Sequence, residues 1–482
     1  MQLIYEKSIS KRAGFKLPEV DVPKQPEIPL KYSRKDKANL PEVSELDVVR
    51  HFTRLSRMNF SVDNNFYPLG SCTMKYNPKF TEKVASLEGF LNLHPLMPQL
   101  LGGGMLSQGS LEVLYNTDKL LCEITGMNAF TMQPLAGAHG ELTGVMLIAA
   151  YHKDKGNDKK HIIIPDSSHG TNPASATIAG YEVVVIKTDD KGCMDINEFK
   201  EKLNKDTAAV MLTCPNTLGI FNSHIKEITD LAHSVDALVY YDGANLNAIM
   251  GKCRPGDIGF DVIHLNLHKT FATPHGGGGP GAGPVGVNDK LIEYLPISKI
   301  IKRSDGSYAL DYNGPKSIGY IAPFYGNFAV ILKAYAYILL LGKQGLIDVS
   351  EYAVLNANYI LKRLKGHFEV GYDRICMHEC VFSASRQEKH GVHAIDIAKA
   401  LIERGFHPPT VYFPLVVKEA IMIEPTETES KETLDEFIDA MIEIAELSKT
   451  DPERIKSAPN NTPIKRLDET KAARDLDLRW NP

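Results

Sequence analysis

The chain has 482 residues, of which 43% are hydrophobic and 23% are charged, and its net charge is −5. These proportions are typical of a soluble globular protein and exclude a largely disordered chain. The small net charge provides no general attraction to nucleic acid or to anionic lipid, so we expect neither as a partner. A chain of this length is expected to contain two or three domains.

The cysteines and the apolar segments indicate a cytoplasmic protein. Seven cysteines at scattered positions make no disulfide framework and favour a reducing compartment. Cys376 and Cys380 lack the second pair that a structural zinc site requires. The first residues lack the apolar core of a secretory signal, and no run of about 18 apolar residues predicts a membrane span. The short apolar stretch 334–341 is interpreted as a buried helix.

The N-terminal 75 residues are predicted to form an arm. Within residues 1–60, five prolines interrupt any long element, namely Pro18, Pro23, Pro26, Pro29 and Pro41. This segment is interpreted as an arm that lies over another part of the molecule. A disordered leader is the alternative.

The middle of the chain alternates two patterns. Short apolar runs predict strands, and helix-like stretches at 195–203 and 223–234 lie between some of them; the runs are 161–165, 182–186, 207–213, 237–242 and 260–265. This alternation predicts an α/β fold with a mainly parallel sheet covered on both faces. In such sheets ligands bind beyond the carboxyl ends of the strands, so candidate functional residues are sought there.

We assign residues 76–330 to a large domain, 331–449 to a smaller α+β C-terminal domain and 450–482 to a C-terminal tail. Within the smaller domain, residues 431–448 have apolar side chains at helical spacing and predict a helix. The tail is polar and contains three further prolines.

Two strand ends carry charged residues. Asp242 ends the run 237–242, where a carboxylate costs free energy unless a partner compensates it; a turn or cap residue is the alternative. Lys269 follows the run 260–265. Desolvation there makes an amine a usable nucleophile, whereas a lysine that extends to solvent is the alternative. Adjacent strand ends would bring Asp242 and Lys269 into one crevice.

The segment 133–144 predicts an anion site. Its small residues Ala136, Gly137 and Ala138 lie between a strand end and a helix start, where backbone N–H groups bind anions. A tight strand–helix turn is the alternative. Residues 281–286 formally match GxGxxG, but a glycine run precedes them and the following PVGV predicts a strand, so a dinucleotide site is not expected.

A lysine, a carboxylate and an anion cradle are the groups that pyridoxal phosphate requires. His169 follows the strand 161–165 and offers a flat ring for stacking; a core or capping histidine is the alternative. His268, beside Lys269, is a candidate phosphate donor. The group His264, His268 and His275 is a candidate metal site, but no acidic residue lies among these histidines in sequence and Lys269 would repel a cation. We therefore predict no metal site.

Several motifs resemble glycine decarboxylase, the P-protein of the glycine cleavage system. They run in the order of that family across almost the whole chain: YPLGSCTMKYNP (67–78), AGAHGE (136–141), SSHGTNPASA (167–176), PNTLGIF (215–221), DGANLNAI (242–249), LNLHKTFATPHGGGGPG (265–281) and EPTETESKETLDEF (424–437). The resemblance implies a type I pyridoxal-phosphate fold with a large domain and a smaller C-terminal domain.

The resemblance also implies roles for individual residues. Lys269 would form the Schiff base, Asp242 would face the pyridine nitrogen, and His169 would stack on the ring. The residues near the cofactor would further include Ala136, Gly137 and Ala138 at the phosphate, with Thr213 and Asn216 at another strand end. The chain departs from the single-chain enzyme at His139 and Cys214, where that enzyme usually has Gln and Asn.

The implied activity is the decarboxylation of glycine, with release of CO2 and transfer of the aminomethyl group to the lipoyl arm of H-protein. The length is about half that of the single-chain enzyme and indicates subunit 2 of the two-subunit form. The active site would then be shared with subunit 1, in a two-plus-two heterotetramer. Another type I amino-acid decarboxylase or lyase, and a catalytically silent scaffold subunit, are the alternatives.

Overall fold

The computed structural model describes residues 2–23, 28–36, 38–93, 97 and 105–480. Contacts divide the chain into two compact units, Met1–Ser61 and Val62–Pro482. The predicted boundaries at residues 75, 330 and 449 stay predictions.

The first unit contains one helix of more than a single turn among its described residues, α1, Glu45–Ser56. Ser44 and Asp47 form a capping box at its start: each backbone N–H donates to the side chain of the other residue at 3.2 Å. The Ser44 hydroxyl, which donates to Asp47 Oδ2 at 2.6 Å, and the Ser44 backbone N–H lower the pKa of Asp47. Capping satisfies N–H groups that the first turn leaves without partners. The helix therefore begins directly after Ser44, three residues beyond Pro41.

The second unit is built on a seven-stranded sheet with the order β1-β7-β6-β5-β4-β2-β3. Strands β2 to β6 run parallel, and β7 is antiparallel to both β1 and β6. The strands are β1 Ala129–Thr131, β2 His161–Pro165, β3 Glu182–Ile186, β4 Thr207–Thr213, β5 Leu238–Gly243, β6 Val262–Leu265 and β7 Val285–Val287.

Helices cover both faces of this sheet. The α-helices of the second unit that precede β7 are, among the described residues, α2 Lys79–Ala85, α3 Glu88–Leu91, α4 Gln108–Thr125, α5 Gly137–Asp154, α6 Thr171–Ile178, α7 Ile196–Lys202, α8 Ile225–Ser234, α9 Pro255–Ile258 and α10 Leu267–Thr270. Successive strand residues enter different cores: Ile163 and Val239 lie in one apolar cluster, and Ile162 and Tyr240 in another. The continuous apolar runs therefore reflect burial on both faces, and the predicted α/β architecture is confirmed.

A long helix, α11, Phe328–Leu364, precedes a smaller antiparallel sheet with the order β10-β11-β13-β12. The remaining strands are the hairpin β8 Lys299–Lys302 and β9 Tyr308–Asp311, then β10 Glu369–Val370, β11 Cys380–Ser383, β12 Thr410–Val411 and β13 Ala420–Ile423. The remaining helices are α12 Ser385–Glu388, α13 Ala394–Glu403, α14 Lys431–Thr450, α15 Pro452–Ser457 and α16 Glu469–Arg474. The helix predicted over 431–448 is confirmed as α14.

Helix α11 differs from the prediction of a buried segment at 334–341. It contains the one window among the described residues that is long and apolar enough to cross a membrane, and 44% of that window is buried in the protein. Ala334 and Ile338 are buried, but Leu339 is 57% and Leu340 62% exposed. The helix is interrupted at Gly342, whose φ of 60° and ψ of −171° are not helical. The prediction of burial is therefore wrong for Leu339 and Leu340.

Candidate active site

The candidate site lies at the carboxyl edge of the large sheet, where three neighbouring strands end. Thr213 of β4 pairs in register with Asp242 of β5, and Asp242 pairs with His264 of β6. Parallel strands place their carboxyl ends at one edge, so three polar residues distant in sequence become neighbours. All three are buried.

Asp242 is the central carboxylate of this edge and is 3% exposed. Its Oδ1 accepts a hydrogen bond from the backbone N–H of Ala244 at 3.0 Å, and its Oδ2 accepts one from Asn172 Nδ2 at 3.3 Å. His264 Nε2 lies 3.4 Å from Oδ1. These contacts offset part of the cost of burying the charge. The N–H from Ala244 is a turn contact, but the other two neighbours come from different elements.

The ring of His264 is oriented by Tyr240, whose hydroxyl lies 2.6 Å from Nδ1. Burial lowers the pKa of His264 and raises that of Tyr240. Both groups are therefore neutral near pH 7, and the phenol and Nδ1 share one hydrogen bond. The other ring nitrogen, Nε2, faces Asp242 but has no hydrogen-bond partner among the described residues.

Lys269 enters the same crevice from α10, the short helix that follows β6. Its Nζ donates a hydrogen bond to the carbonyl oxygen of Ser71 at 2.7 Å. Ser71 lies in the segment GSCTMK, which is far from Lys269 in sequence. The lysine is half-buried, so its amine reaches the cavity while its backbone stays in the core.

The segment around Ser71 is held by two buried glutamates. Ser71 N–H donates to Glu379 Oε2 at 2.9 Å, and Thr73 N–H donates to Glu424 Oε2 at 3.0 Å. Ser71 and Thr73 have φ values of 63° and 45°. Residues other than glycine rarely adopt this backbone conformation, and it persists only where the surrounding structure imposes it. Burial and the charge of Glu424 raise the pKa of Glu379 far above its usual range.

The predicted anion cradle forms the N-terminus of α5. Gly137 is buried, and a Cβ at this position would lie 2.5 Å from Asn266 Oδ1. A side chain at position 137 would therefore collide with the side chain of Asn266. His268 approaches from the other side, and burial together with His275 lowers its pKa to about 3. A neutral imidazole beside free backbone N–H groups of a helix N-terminus suits a phosphate-sized anion.

These groups line one cavity of about 210 Å³. It brings together seven of the predicted site residues: Lys269, Asp242, His169, Gly137, Ala138, Thr213 and His268. The other lining residues are Ser71, Glu141, Thr171, Thr217, Ala244, Asn245 and Asn266.

Two predicted residues lie elsewhere. Ala136 is the exposed N-cap residue of α5, and its carbonyl accepts the first helical hydrogen bond, from Gly140. Asn216 is buried, but its amide is occupied: Nδ2 donates to the carbonyl of Gly192 at 2.6 Å, and Oδ1 accepts from the N–H groups of Leu218 and Ile220. Asn216 therefore shapes the turn after β4 and does not line the cavity.

His169 lies where β2 leads into α6. Its Nδ1 is 2.8 Å from Thr171 Oγ1 and accepts the backbone N–H of Thr171 at 3.4 Å. Thr171 Oγ1 is in turn 2.8 Å from Glu141 Oε1. Burial lowers the pKa of His169, so the imidazole is neutral near pH 7. Its ring is not isolated, since Phe413 packs edge to face on it at a centroid distance of 6.0 Å.

The three histidines considered as a candidate metal site have different neighbours. His268 and His275 pack edge to face, whereas His264 faces Asp242. Although no acidic residue is near these histidines in sequence, carboxylate oxygens of Asp242 and Glu141 lie within 4.8 Å of His264. The sheet register explains the proximity of Asp242 to His264, and helix α5 contributes Glu141.

Several buried polar atoms in and around the cavity have no hydrogen-bond partner among the described residues: Asn172 Oδ1, Thr213 Oγ1, Asn266 Oδ1 and His268 Nδ1. Leaving such atoms unpaired costs free energy, and native proteins rarely leave several together. The cavity is therefore built for a polar ligand with several hydrogen-bonding groups.

Sequence reasoning missed the residues that touch the predicted ones from other elements. Ser71, Glu141, Thr171 and Asn172 all lie within the quoted motifs 67–78, 136–141 and 167–176. Their positions inside these motifs were the available signal. Glu379 lies in none of them, and no sequence signal pointed to it.

Two protein-family models match this chain over most of its length. The family model "Glycine cleavage system P-protein" matches residues 16–307, and the model "Glycine dehydrogenase, C-terminal domain" matches residues 349–466. Together these two matches span the seven-stranded sheet and the four-stranded sheet.

Curated relatives are similar over their full length. The "Probable glycine dehydrogenase (decarboxylating) subunit 2" of Listeria welshimeri is 55% identical over 484 residues, which covers 100% of this chain and 98% of the relative. The protein of the same name from Caldanaerobacter subterraneus is 55% identical over 483 residues, covering 99% and 98%. That of Chloroherpeton thalassium is 54% identical over 486 residues, covering 100% and 98%.

Solved structures share the fold at low sequence identity. An inhibitor-bound glycine decarboxylase (P-protein) of the glycine cleavage system superposes with a TM-score of 0.72 at 18% identity, covering 86% of this chain and 93% of that one. A cysteine desulfurase from Thermococcus onnurineus superposes with a TM-score of 0.61 at 16% identity, covering 80% and 95%.

Proposed function

Because this chain belongs to the glycine cleavage system P-protein family, we propose that it decarboxylates glycine with pyridoxal phosphate and passes the aminomethyl group to the lipoyl arm of H-protein. Its fold is the type I fold of pyridoxal-phosphate enzymes, as the sequence predicts. The observation that carries the proposal is the meeting of Lys269, Asp242 and the N-terminus of α5 in one polar cavity.

The cavity residues fit the cofactor. Lys269 Nζ would hold the aldehyde, Asp242 would face the ring nitrogen, His169 would lie against the ring, and Gly137 and Ala138 would bind the phosphate. The unpaired buried atoms around the cavity match a ligand with several polar groups. When bound, pyridoxal phosphate accepts the electrons of the bond to the glycine carboxylate, so that CO2 can leave.

Each protein group has a separate task in this reaction. Asp242, whose Oδ1 lies 3.4 Å from His264 Nε2, would supply a negative charge that keeps a proton on the ring nitrogen. The carbonyl of Ser71 holds Lys269 Nζ in the cavity, so the amine is placed before the cofactor arrives. Preorganised groups of this kind cost little reorganisation during the reaction.

The names of the relatives imply a partner, subunit 1. We propose that the two subunits share the active site in a two-plus-two heterotetramer, and that lipoylated H-protein is the acceptor.

We expect that the purified chain with subunit 1 and pyridoxal phosphate exchanges the glycine carboxyl with bicarbonate, and that the chain alone shows no exchange above background. The reason is that a shared site is incomplete in one subunit. Incorporation of labelled bicarbonate into glycine measures this. Full exchange by the chain alone would refute the shared site, and no exchange by the complex with glycine, but turnover of another amino acid, would refute the substrate.

An apolar surface on α11 supports the assembly. Exposed Leu339 borders a hollow of about 590 Å³, and exposed Leu355 borders a second hollow of about 570 Å³. Lys252 and Cys253 line both hollows, so the two are adjacent. A contiguous exposed apolar surface on a folded protein commonly marks a site of contact with another protein. Since the relatives are named as one subunit of a pair, we assign subunit 1 to this surface.

Replacing Leu339 and Leu340 with glutamate is expected to weaken association with subunit 1 by about tenfold or more, since apolar anchors dominate binding energy. Analytical ultracentrifugation of mixtures measures the change. Leu415→Glu, which alters a leucine that is 84% exposed outside α11, is the matched control and should associate normally. Unchanged association of the double variant would contradict the assignment, and loss of self-association instead would assign the surface to a second copy of this chain.

A further inference from the structure

Glu141 is a cavity carboxyl that the roles proposed above leave unused. It lies in the first turns of α5, is 5% exposed and lines the cavity. Its Oε2 has no hydrogen-bond partner within the described part of the chain. One of its carboxylate oxygens lies within 4.8 Å of both an oxygen of Asp242 and a ring nitrogen of His264. Two buried carboxyl groups thus lie close together beside the cavity.

Counting protons along the chain Glu141–Thr171–His169 assigns a proton to Glu141. The backbone N–H of Thr171 points at His169 Nδ1 at 3.4 Å, and a backbone nitrogen can only donate, so Nδ1 is an acceptor. The Thr171 hydroxyl is 2.8 Å from Nδ1 and 2.8 Å from Glu141 Oε1. It has one proton for these two contacts. If that proton goes to Nδ1, the second contact needs a proton on Glu141.

The electrostatics of the pocket agree with this count. Burial, and next the negative charge of Asp242 on β5, raise the pKa of Glu141 to about 8. The positive charge of Lys269 on α10, and a hydrogen bond from Thr171 in the alternative arrangement in which Thr171 is the donor, lower the pKa and offset part of the shift.

The other titratable groups around Glu141 are neutral near pH 7. Burial lowers the pKa of His169 beside α6 and of His264 on β6, and it raises the pKa of Tyr240 on β5. Among the described residues, Asp242 and Lys269 are thus the charged groups that act on Glu141.

We propose that Glu141 is a positioning residue that acts as a neutral carboxylic acid. It donates its proton to Thr171, which fixes the His169 ring with its proton on Nε2, and it places no second negative charge beside Asp242. The inference rests on the proposed function where the cofactor is concerned, but the protonation of Glu141 can be tested without it.

The proton on Glu141 makes stability depend on pH with a definite sign. A carboxyl with a raised pKa binds its proton more tightly in the folded chain than in the unfolded one. Between about pH 4.5 and pH 8 the folded state therefore holds more protons, and the free energy of unfolding contributed by this group falls as pH rises. Glutamine at this position carries no such titration.

The first test measures chemical unfolding of the cofactor-free full-length chain from pH 5 to pH 9. Relative to wild type, Glu141→Gln should gain stability steadily as pH rises toward 8. Glu141→Asp, which keeps a titratable group, should retain the wild-type pH dependence, and Glu123→Gln, at a side chain that is 83% exposed, is the matched control. An identical pH dependence in wild type and Glu141→Gln would overturn the assignment.

The second test follows the absorption of the lysine-linked cofactor with pH in the complex with subunit 1. In wild type, ionisation of Glu141 near pH 8 adds negative charge beside Asp242 and helps retain the proton of the bound cofactor. Glu141→Gln should therefore lose that proton at a pH lower by about one unit. If Glu141→Gln changes the pH dependence of stability but not that of the cofactor absorption, Glu141 acts on the protein groups around it and not on the cofactor. If no absorption band of a bound cofactor is seen at all, the proposed function is overturned instead.

Discussion

Replacing Lys269 with alanine is expected to abolish the absorption of the bound cofactor and to reduce glycine–bicarbonate exchange by about 10³-fold or more. The reason is geometric, since Lys269 supplies the amine that lines the cavity opposite Asp242 and the α5 N-terminus. The measurements are an absorption spectrum and the exchange assay, both with subunit 1 present. Borohydride reduction followed by peptide mapping should place the pyridoxyl group on Lys269 in the wild-type chain.

The control for this variant is Lys226→Ala. Lys226 lies on α8, where its side chain is 65% exposed and pairs with Asp230, so its removal should leave both the spectrum and exchange unchanged. A Lys269→Ala chain that still forms a pyridoxyl adduct and exchanges glycine would show that another amine carries the cofactor. A wild-type chain that never forms an adduct would instead support a silent scaffold subunit.

The large sheet could be predicted from sequence because its strands, apart from the partly exposed edge strand β3, are buried on both faces. The runs predicted at 161–165, 182–186 and 207–213 coincide with β2, β3 and β4. Continuous β-branched runs leave little freedom in where a strand begins and ends. The run predicted at 260–265 begins two residues too early, because Gly259 ends α9 with φ at 118° and the N–H of Phe260 still donates to Pro255 in that turn.

The meeting of Asp242 and Lys269 followed from the same logic. Each residue follows or ends a predicted strand, and parallel strands put such residues at one edge. The prediction needed only the strand ends, which are local properties of the sequence. The same reasoning placed Thr213 at this edge but failed for Asn216, because the chain turns after β4 and the turn consumes the Asn216 amide.

Contacts between distant segments could not be predicted from periodicity. The hydrogen bond from Lys269 to Ser71 joins residues 198 positions apart, and Ser71 is held by Glu379, 308 positions further on. No local pattern encodes such pairs. The exposure of Leu339 and Leu340 was missed for a related reason: composition reports that a helix is apolar, but the partner that covers it determines whether it is buried.

Replacing Asp242 with asparagine is expected to weaken cofactor binding and to slow glycine–bicarbonate exchange by about 10²-fold or more, even when the cofactor is saturating. Asparagine preserves the size of the side chain and can still accept the N–H of Ala244. It lacks the negative charge, however, so nothing at that position favours a proton on the ring nitrogen. Spectrophotometric titration with pyridoxal phosphate and the exchange assay separate the loss of binding from the loss of rate.

Asp242→Asn also tests the role of the surrounding pocket. Its buried neighbours were arranged for a carboxylate, since Asn172 Nδ2 donates to Oδ2 and His264 Nε2 faces Oδ1. Asp242→Glu, which restores charge at a different reach, should recover part of the binding but little of the rate. Asp230→Asn, at an exposed aspartate on α8, is the matched control. An Asp242→Asn complex with the wild-type rate would mean that the charge at this strand end has no part in decarboxylation.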